Sequence, residues 1–516
     1  MIALLQDRAW RWWLGGAGAG LLQALAFQPG VADLMPGLPA VVQALALAAS
    51  LVLLQAASRP GQGVWVGWGF GTVWLLGGTG WLYVSLHRFG GLPAWLSGLS
   101  VALLCLALAV YLAVASALWV RWRSGHWLRD AGLFGALWLL AEVARALIFT
   151  GFPWAASGYA LIDSPFDGFA PWLGVYGMGW VFVTLVAALT LAVRRGPSRA
   201  WALALGGLVL GVGTQSGGLW VQPAGRPLSV SLLQSNVPQD EKFDVDRQIA
   251  VLVWHAEQLM SARGALVMAP ETAIPLLPAD LPEGYWDGLK AAFQQGDRAA
   301  LIGVPLGSLE AGYTNSVAGI SAATRALDGG IYRYNKHHLV PFGEFIPWGF
   351  HWFVRMMNMP LGDFARGPVA APSFAVRDQH VAPNICYEDL FGEELAVRFT
   401  TTVPPTILAN VSNLAWFGES VAIRQHLQIA RLRSLEFQRP TLRSTNTGAT
   451  VVIDHRGRVT AALPFNQAGV LEAQVQGMQG LTPFARWAGG WGLWPLVVLA
   501  IGLVAVLRRR AGAGAV

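Results

Sequence analysis

Apolar runs of helix length fill most of the first 216 residues of this chain, and another lies at 488–507. A bilayer core takes about 20 consecutive apolar residues per helix. Runs near 12–28, 38–56, 64–86, 92–120, 132–151, 171–193, 200–216 and 488–507 meet or approach that length, which predicts eight membrane spans. The first run is glycine-rich and the seventh is short. The first also looks like the apolar part of a signal peptide. No convincing cleavage site follows it and further runs come at once, so it is expected to stay as an anchor.

Arginines set the expected orientation. With the N-terminus inside, the inner loops and ends hold Arg8, Arg11, Arg59, Arg121, Arg123, Arg129, Arg194, Arg195, Arg199, Arg508, Arg509 and Arg510. The short opposite loops hold only Arg88. Cytoplasmic loops collect arginine and lysine, so both ends are expected in the cytoplasm and residues of about 217–487 outside it. The net charge of +6 comes largely from these loop arginines. It bears on topology and does not point to nucleic acid. Glu142 and Arg145 interrupt the fifth run at i and i+3, where they share a helix face. They are expected to pair inside the bundle or to meet a lipid headgroup.

Between about Arg226 and Met478 the composition becomes that of a soluble domain. The expected organisation is a membrane domain over 1–217, a catalytic domain over 226–478, and a last span with a basic tail over 488–510. Leu228–Leu233 alternates apolar and polar residues like a half-buried strand. Further strand-like runs are Ala265–Met268, Ala300–Val304, Ser316–Ile320, Val381–Ile385 and Thr406–Asn410. Residues of about 420–437 carry helical periodicity, so strands alternate with helices and the class is α/β. The two cysteines cannot make a disulfide framework. Cys105 sits inside an apolar run and reads as a small buried hydrophobe.

Cys386 carries a different signal. It follows a strand-like run in Asn384-Ile385-Cys386-Tyr387-Glu388-Asp389. Upstream, Pro270-Glu271-Thr272 follows another strand, and Lys336 stands in Tyr334-Asn335-Lys336-His337-His338. A thiol at neutral pH is mostly protonated and needs a base beside it. A carboxylate can be that base, and an ammonium can stabilise the oxyanion that forms on a carbonyl.

These three motifs resemble the Glu–Lys–Cys signature of the nitrilase (carbon–nitrogen hydrolase) superfamily. The long run from Lys336 through Leu339-Val340-Pro341-Phe342-Gly343-Glu344, with Asn410–Gly418 and Arg439–Gly448, is similar to one membrane-bound branch, the apolipoprotein N-acyltransferases. The resemblance spans essentially the whole chain. It implies a four-layer α-β-β-α sandwich for about 228–476, inserted on the periplasmic side before the last span of a bacterial inner-membrane protein. It implies Glu271 as general base, Lys336 as oxyanion stabiliser and Cys386 as nucleophile, with Glu344, Tyr387 and Glu388 in support. It also implies phospholipid as acyl donor, a diacylated apolipoprotein as acceptor, and no cofactor, because the ester already carries an activated acyl group. Two positions depart from the family pattern: Leu414 where Asp is common, and Phe243 where some members have Trp.

The segment after Glu344 is unusually apolar for a stretch between polar motifs. Trp348, Trp352, Phe353, Met356 and Met357 lie in it, and with Phe243 and Trp416 they are expected to gate lipid chains. The alternative for this segment is an arm packed into the core. For the chain as a whole, two other functions remain open at this point: an amidase with water as acceptor, or a transporter or scaffold carrying an inactive module.

Overall fold

A computed structural model describes residues 8–193, 196–216, 220–239, 245–308, 310, 312–354 and 364–508. The chain forms two compact units. One comprises Met1–Tyr83, Ala94–Gly218 and Trp491–Val516, and the other Val84–Pro93 and Leu219–Gly490.

The first unit is helical. Its longer helices are α1 (Ala9–Leu25), α2 (Leu38–Ala56), α3 (Pro60–Thr79), α4 (Ala94–Leu108), α5 (Val110–Trp122), α6 (Trp127–Leu147), α7 (Ala170–Val193) and α8 (Pro197–Ser216), with Trp494–Leu507 near the other end of the chain. Every predicted apolar run thus holds a helix. Among the described residues, four stretches are long and apolar enough to cross a membrane, Leu38–Ala56, Ala94–Trp122, Trp127–Thr150 and Asp167–Val193, with a fifth if the bent pair Pro483–Trp491 and Trp494–Leu507 is one span. Helix α1 has only 17 residues, and glycine dilutes the apolar character of α3. Two boundaries differ from expectation. The third run breaks after Thr79, resumes as a short α-helical turn at Leu82–Val84 and continues as a π-turn at Ser85–Phe89. The last run breaks at Gly492, whose φ of +56° ends the preceding helix, so its final helix begins only at Trp494.

Glycines in α1 serve close approach to α3. A Cβ at Gly16 would lie 2.2 Å from the Val66 carbonyl oxygen, and one at Gly20 2.3 Å from that of Phe70. Small residues let apolar helices pack backbone to backbone where no water drives them together. Arg123 is more than a loop charge. Its guanidinium donates to the Leu54 and Gln55 carbonyls at 2.8 and 2.9 Å and to that of Ala57, closing the C-terminus of α2.

Glu142 and Arg145 are buried and paired at 3.8 Å. Arg145 also donates to the carbonyls of Phe152 and Trp154 at 2.8 and 2.7 Å. Glu142 accepts from the backbone N–H and hydroxyl of Ser157, both at 2.7 Å. The pair ties down the loop after α6, as the internal-pair expectation has it.

The second unit is a sandwich. Strands β1 (Val221–Pro223) and β14 (Met478–Gly480) pair beside it. One six-stranded sheet orders β13 (Gly469–Val475), β2 (Leu228–Gln234), β3 (Leu266–Met268), β4 (Ala299–Ser308), β5 (Gly312–Ile320) and β6 (Tyr332–Asn335). The other orders β12 (Val459–Ala462), β11 (Val451–Ile453), β10 (Thr441–Thr445), β9 (Ile407–Ser412), β8 (Gln379–Ile385) and β7 (Phe374–Val376).

Alternation builds the layers. Leu301 of β4 faces the core shared with Val381, Ile385, Ile407 and Val411 of the other sheet. Ala300 and Ile302 turn outward onto Leu252 and Leu259 of α9 (Val245–Ser261) and Leu289 and Phe293 of α10 (Tyr285–Gln294). Ala382 and Leu408 cover the opposite face with Leu395 and Ala396 of α11 (Gly392–Val397) and Phe437 of α12 (Ala422–Phe437). The order is helix, sheet, sheet, helix, as the resemblance implied. Strand β2 is buried on both faces rather than half-buried, because the helix layer covers its polar side as well; Ser231 donates to Glu472 there at 2.7 Å.

Candidate active site

Three strand ends deliver the chemistry. Glu271 follows β3 in a tight turn whose next residue, Thr272, has φ +50°. The turn lies against β4 so closely that a Cβ at Gly303 would sit 2.2 Å from the Pro270 carbonyl oxygen. Lys336 follows β6, with its N–H on the Asn315 carbonyl at 2.9 Å. Cys386 follows β8 at φ +51°, a left-handed conformation unusual for a residue with a side chain.

Lys336 is 1% exposed and carries its ammonium into a pair of carboxylates. Its Nζ donates to Glu344 Oε1 at 2.9 Å and lies 3.6 Å from Glu271 Oε1. Burial pushes the ammonium toward neutrality, yet Glu344 and then Glu271 outweigh it and raise its pKa above the ordinary lysine value, so it stays charged. The cysteine moves in the same direction. Cys386 as a residue is half-buried, but the protein around its thiol, followed by the charge of Glu271, holds the thiol well above its usual pKa against the opposing pull of Lys336. Lys336 does pull the thiol toward thiolate, but burial and Glu271 outweigh it.

Glu388 does not face the reaction as a free acid. Its Oε1 accepts from the His337 and His338 N–H groups at 2.7 and 3.2 Å. Its Oε2 accepts from Tyr334 Oη and the Ile385 N–H, both at 2.7 Å. It ties the lysine segment to the cysteine segment, a brace between two sheets. Burial raises its pKa, with Lys336 opposing. Tyr387 is buried, its ring 5.3 Å from Phe391 and 5.7 Å from His338.

Several residues at the site escaped the sequence reading. Asn315 donates to Glu271 Oε1 at 2.8 Å and to Glu344 Oε1 at 2.6 Å, joining the two carboxylates. The Asn413 N–H donates to Glu271 Oε2 at 2.9 Å. A run of three polar residues, Thr314-Asn315-Ser316, inside a strand that turns apolar and buried was the available signal for Asn315. No local pattern marks a backbone N–H of Asn413.

The expected lipid contacts fare unevenly. Trp348 is 96% and Trp352 57% exposed, so these two do not form a core-packed arm. Trp416 meets Phe89 edge-on at 5.7 Å. Phe353 lies in a helical turn, His351–Val354. Phe243, Met356 and Met357 fall outside the described residues. Leu414 is fully buried among Ile423, Ala430 and Val451, so this chain packs that position instead of charging it.

Residues 19–189 match the family described as the apolipoprotein N-acyltransferase N-terminal domain, and residues 229–483 match the carbon–nitrogen hydrolase family. The chain is 47% identical to the apolipoprotein N-acyltransferase of Verminephrobacter eiseniae, over 86% of this chain and 88% of that one. It is 45% identical to that of Ralstonia nicotianae, over 92% and 90%. The apolipoprotein N-acyltransferase of Bordetella bronchiseptica matches at 41% identity over 97% and 98%.

Proposed function

Since the chain belongs to the apolipoprotein N-acyltransferase family, we propose that it moves a phospholipid acyl chain, the sn-1 chain, through a Cys386 thioester to the amino group of an S-diacylglyceryl cysteine. One observation carries this reading: three separate strand ends bring Glu271, Lys336 and Cys386 together, with Lys336 Nζ 3.6 Å from Glu271 Oε1 and both charges near enough to act on the half-buried Cys386 thiol.

Glu271 takes the thiol proton as sulfur attacks the ester carbonyl. Removing it at that moment suits a thiol whose resting pKa is raised. The charge moves to the carbonyl oxygen, where the fixed Lys336 ammonium meets it. The C–O bond breaks, Glu271 returns its proton to the alkoxide, and a lysophospholipid leaves. The lipoprotein amine then attacks the thioester and Glu271 accepts its proton. The C–S bond breaks and the thiolate is reprotonated. An amide is more stable than a thioester, which makes the second half effectively one-way. Glu344 keeps Lys336 charged and in place, while Glu388 and Tyr387 support the cysteine turn.

Both substrates are anchored by acyl chains at about 0.8 kcal/mol per CH₂, so the active site has to come to the bilayer. The helical unit answers to that need with eight spans, both termini cytoplasmic and the catalytic unit periplasmic, in line with the arginine distribution. Exposed Trp348 and Trp352 suit a lid that enters the lipid interface.

The test is to incubate purified protein with phospholipid labelled in the sn-1 chain. A hydroxylamine-sensitive adduct is expected, absent in Cys386→Ser and discharged by a diacylated lipopeptide. Label that never reaches the protein, or leaves only as free fatty acid when lipopeptide is present, sinks the proposal.

A further inference from the structure

Helix α12 packs against the turn that opens at Cys386, and its His426 points Nε2 at the Cys386 carbonyl oxygen, 3.1 Å away. The other ring nitrogen, Nδ1, lies 3.1 Å from Arg443 Nη2. A guanidinium only donates, so Nδ1 is the acceptor and the proton sits on Nε2. Arg443 is in turn held by Asp389 Oδ2 at 3.2 Å. His426, Arg443 and Asp389 are all within 1% of full burial. Asp389 Oδ2 is also 3.8 Å from His426 Nε2, so the Cys386 carbonyl is the nearer acceptor. Burial first, and the Arg443 charge next, hold the imidazole well below its ordinary pKa.

The gripped carbonyl belongs to the residue with left-handed backbone. Asn410 Nδ2 also reaches it, at 3.4 Å. In a trans peptide the carbonyl and the following N–H point in opposite directions, and the described chain has no cis bond. Holding the Cys386 oxygen on the helix side therefore turns the Tyr387 N–H to the other side of the peptide. It also fixes the direction in which Cys386 leaves its strand.

We infer that His426 is a positioning residue, a neutral imidazole whose tautomer is set by Arg443 and Asp389 and whose Nε2–H holds the nucleophile's carbonyl in the conformation that acyl transfer requires. This rests on reading Cys386 as the nucleophile. It assigns His426 no proton transfer with substrate.

The test compares His426→Leu, which loses the donor, with His426→Gln, whose amide nitrogen can reach the same oxygen. Two quantities are read on the full chain in detergent: single-turnover thioester formation from labelled phospholipid, and amide hydrogen exchange across Cys386–Leu390. The leucine variant should form thioester about 100-fold more slowly with KM unchanged, the scale of a small misplacement of reacting groups, and its turn should exchange faster. The glutamine variant should recover most of both. A leucine variant with wild-type rate and exchange overturns the inference. So does a folded glutamine variant as impaired as the leucine one, and that variant decides the matter alone if the leucine chain does not fold. If wild type forms no thioester, the acyl-transfer reading fails, while the exchange series still judges the role of His426.

Discussion

Both units of this protein bury ion pairs, and two of these charge sets, Glu142–Arg145 and the one around Lys336, are balanced differently. In the helical unit Glu142 and Arg145 balance one to one, and serine and backbone groups complete the shell. In the sandwich one ammonium, Lys336, answers two carboxylates, Glu271 and Glu344. The balanced pair holds a loop. The unbalanced trio lies beside Cys386, whose thiol is pushed up first by burial and then by the Glu271 charge, with Lys336 opposing. The balanced set thus holds a loop, while the unbalanced one lies beside the thiol proposed to react.

The strongest way to break this contrast is Glu271→Gln. Loss of the base should slow thioester formation about 10³-fold, within the usual range for general-base removal. The same change removes the main charge opposing thiolate, so iodoacetamide alkylation of Cys386 at pH 9 should accelerate. Parallel loss of both rates contradicts the surplus-charge account. Next in size is Glu142→Leu. It leaves the Arg145 charge unmatched and should cost about 3–5 kcal/mol of stability, read as a lower thermal midpoint, with turnover per folded molecule unchanged. Lost turnover at full stability would move that pair into the chemistry.

A smaller effect is expected from the paired change Trp348→Ser and Trp352→Ser. Both side chains are exposed, so folding should survive. Acylation from bilayer phospholipid should slow about tenfold, less than the burial of one aromatic is worth. Unaltered acylation removes the lid. The smallest effect sharpens the electrostatics of the sandwich itself. Burial pushes Glu393 up to about 8, with Glu394 adding to the rise and Arg433 opposing it. Folded, the carboxyl keeps its proton, whereas the unfolded chain loses it near 4.5. Between those values the native state binds more protons, so stability should fall as pH rises, by at most about 1.4 kcal/mol per pH unit. Glu393→Gln should flatten that part of the curve in denaturation at several pH values, and an unchanged slope would assign it to other groups.

Much of this was legible in the chain. The apolar runs became helices because hydrophobic length is a local property, and the strands after Leu228 appeared where alternation and β-branched residues marked them. Their ends were less legible. Gly492 breaks the last run by backbone conformation, which hydropathy does not register. At the site, Glu271, Lys336, Glu344 and Cys386 stand in recognisable motifs, and the structure brings them together. Asn315 has only a polar run to mark it and His426 nothing, because their partners lie 29, 44 and 40 residues away. Glu388 was placed at the site by its motif, but only its four donors reveal a brace.

Residue order by itself settled which segments form apolar helices, which segment forms the α/β layer structure, and which thiol, carboxylate and ammonium were candidates, since each depends on residue type and short-range period. Tertiary structure decided what those groups are electrically. Whether a thiol rests protonated, or an imidazole donates rather than accepts, depends on burial and on charges a few ångströms away, and these distances exist only once the strands have been brought side by side.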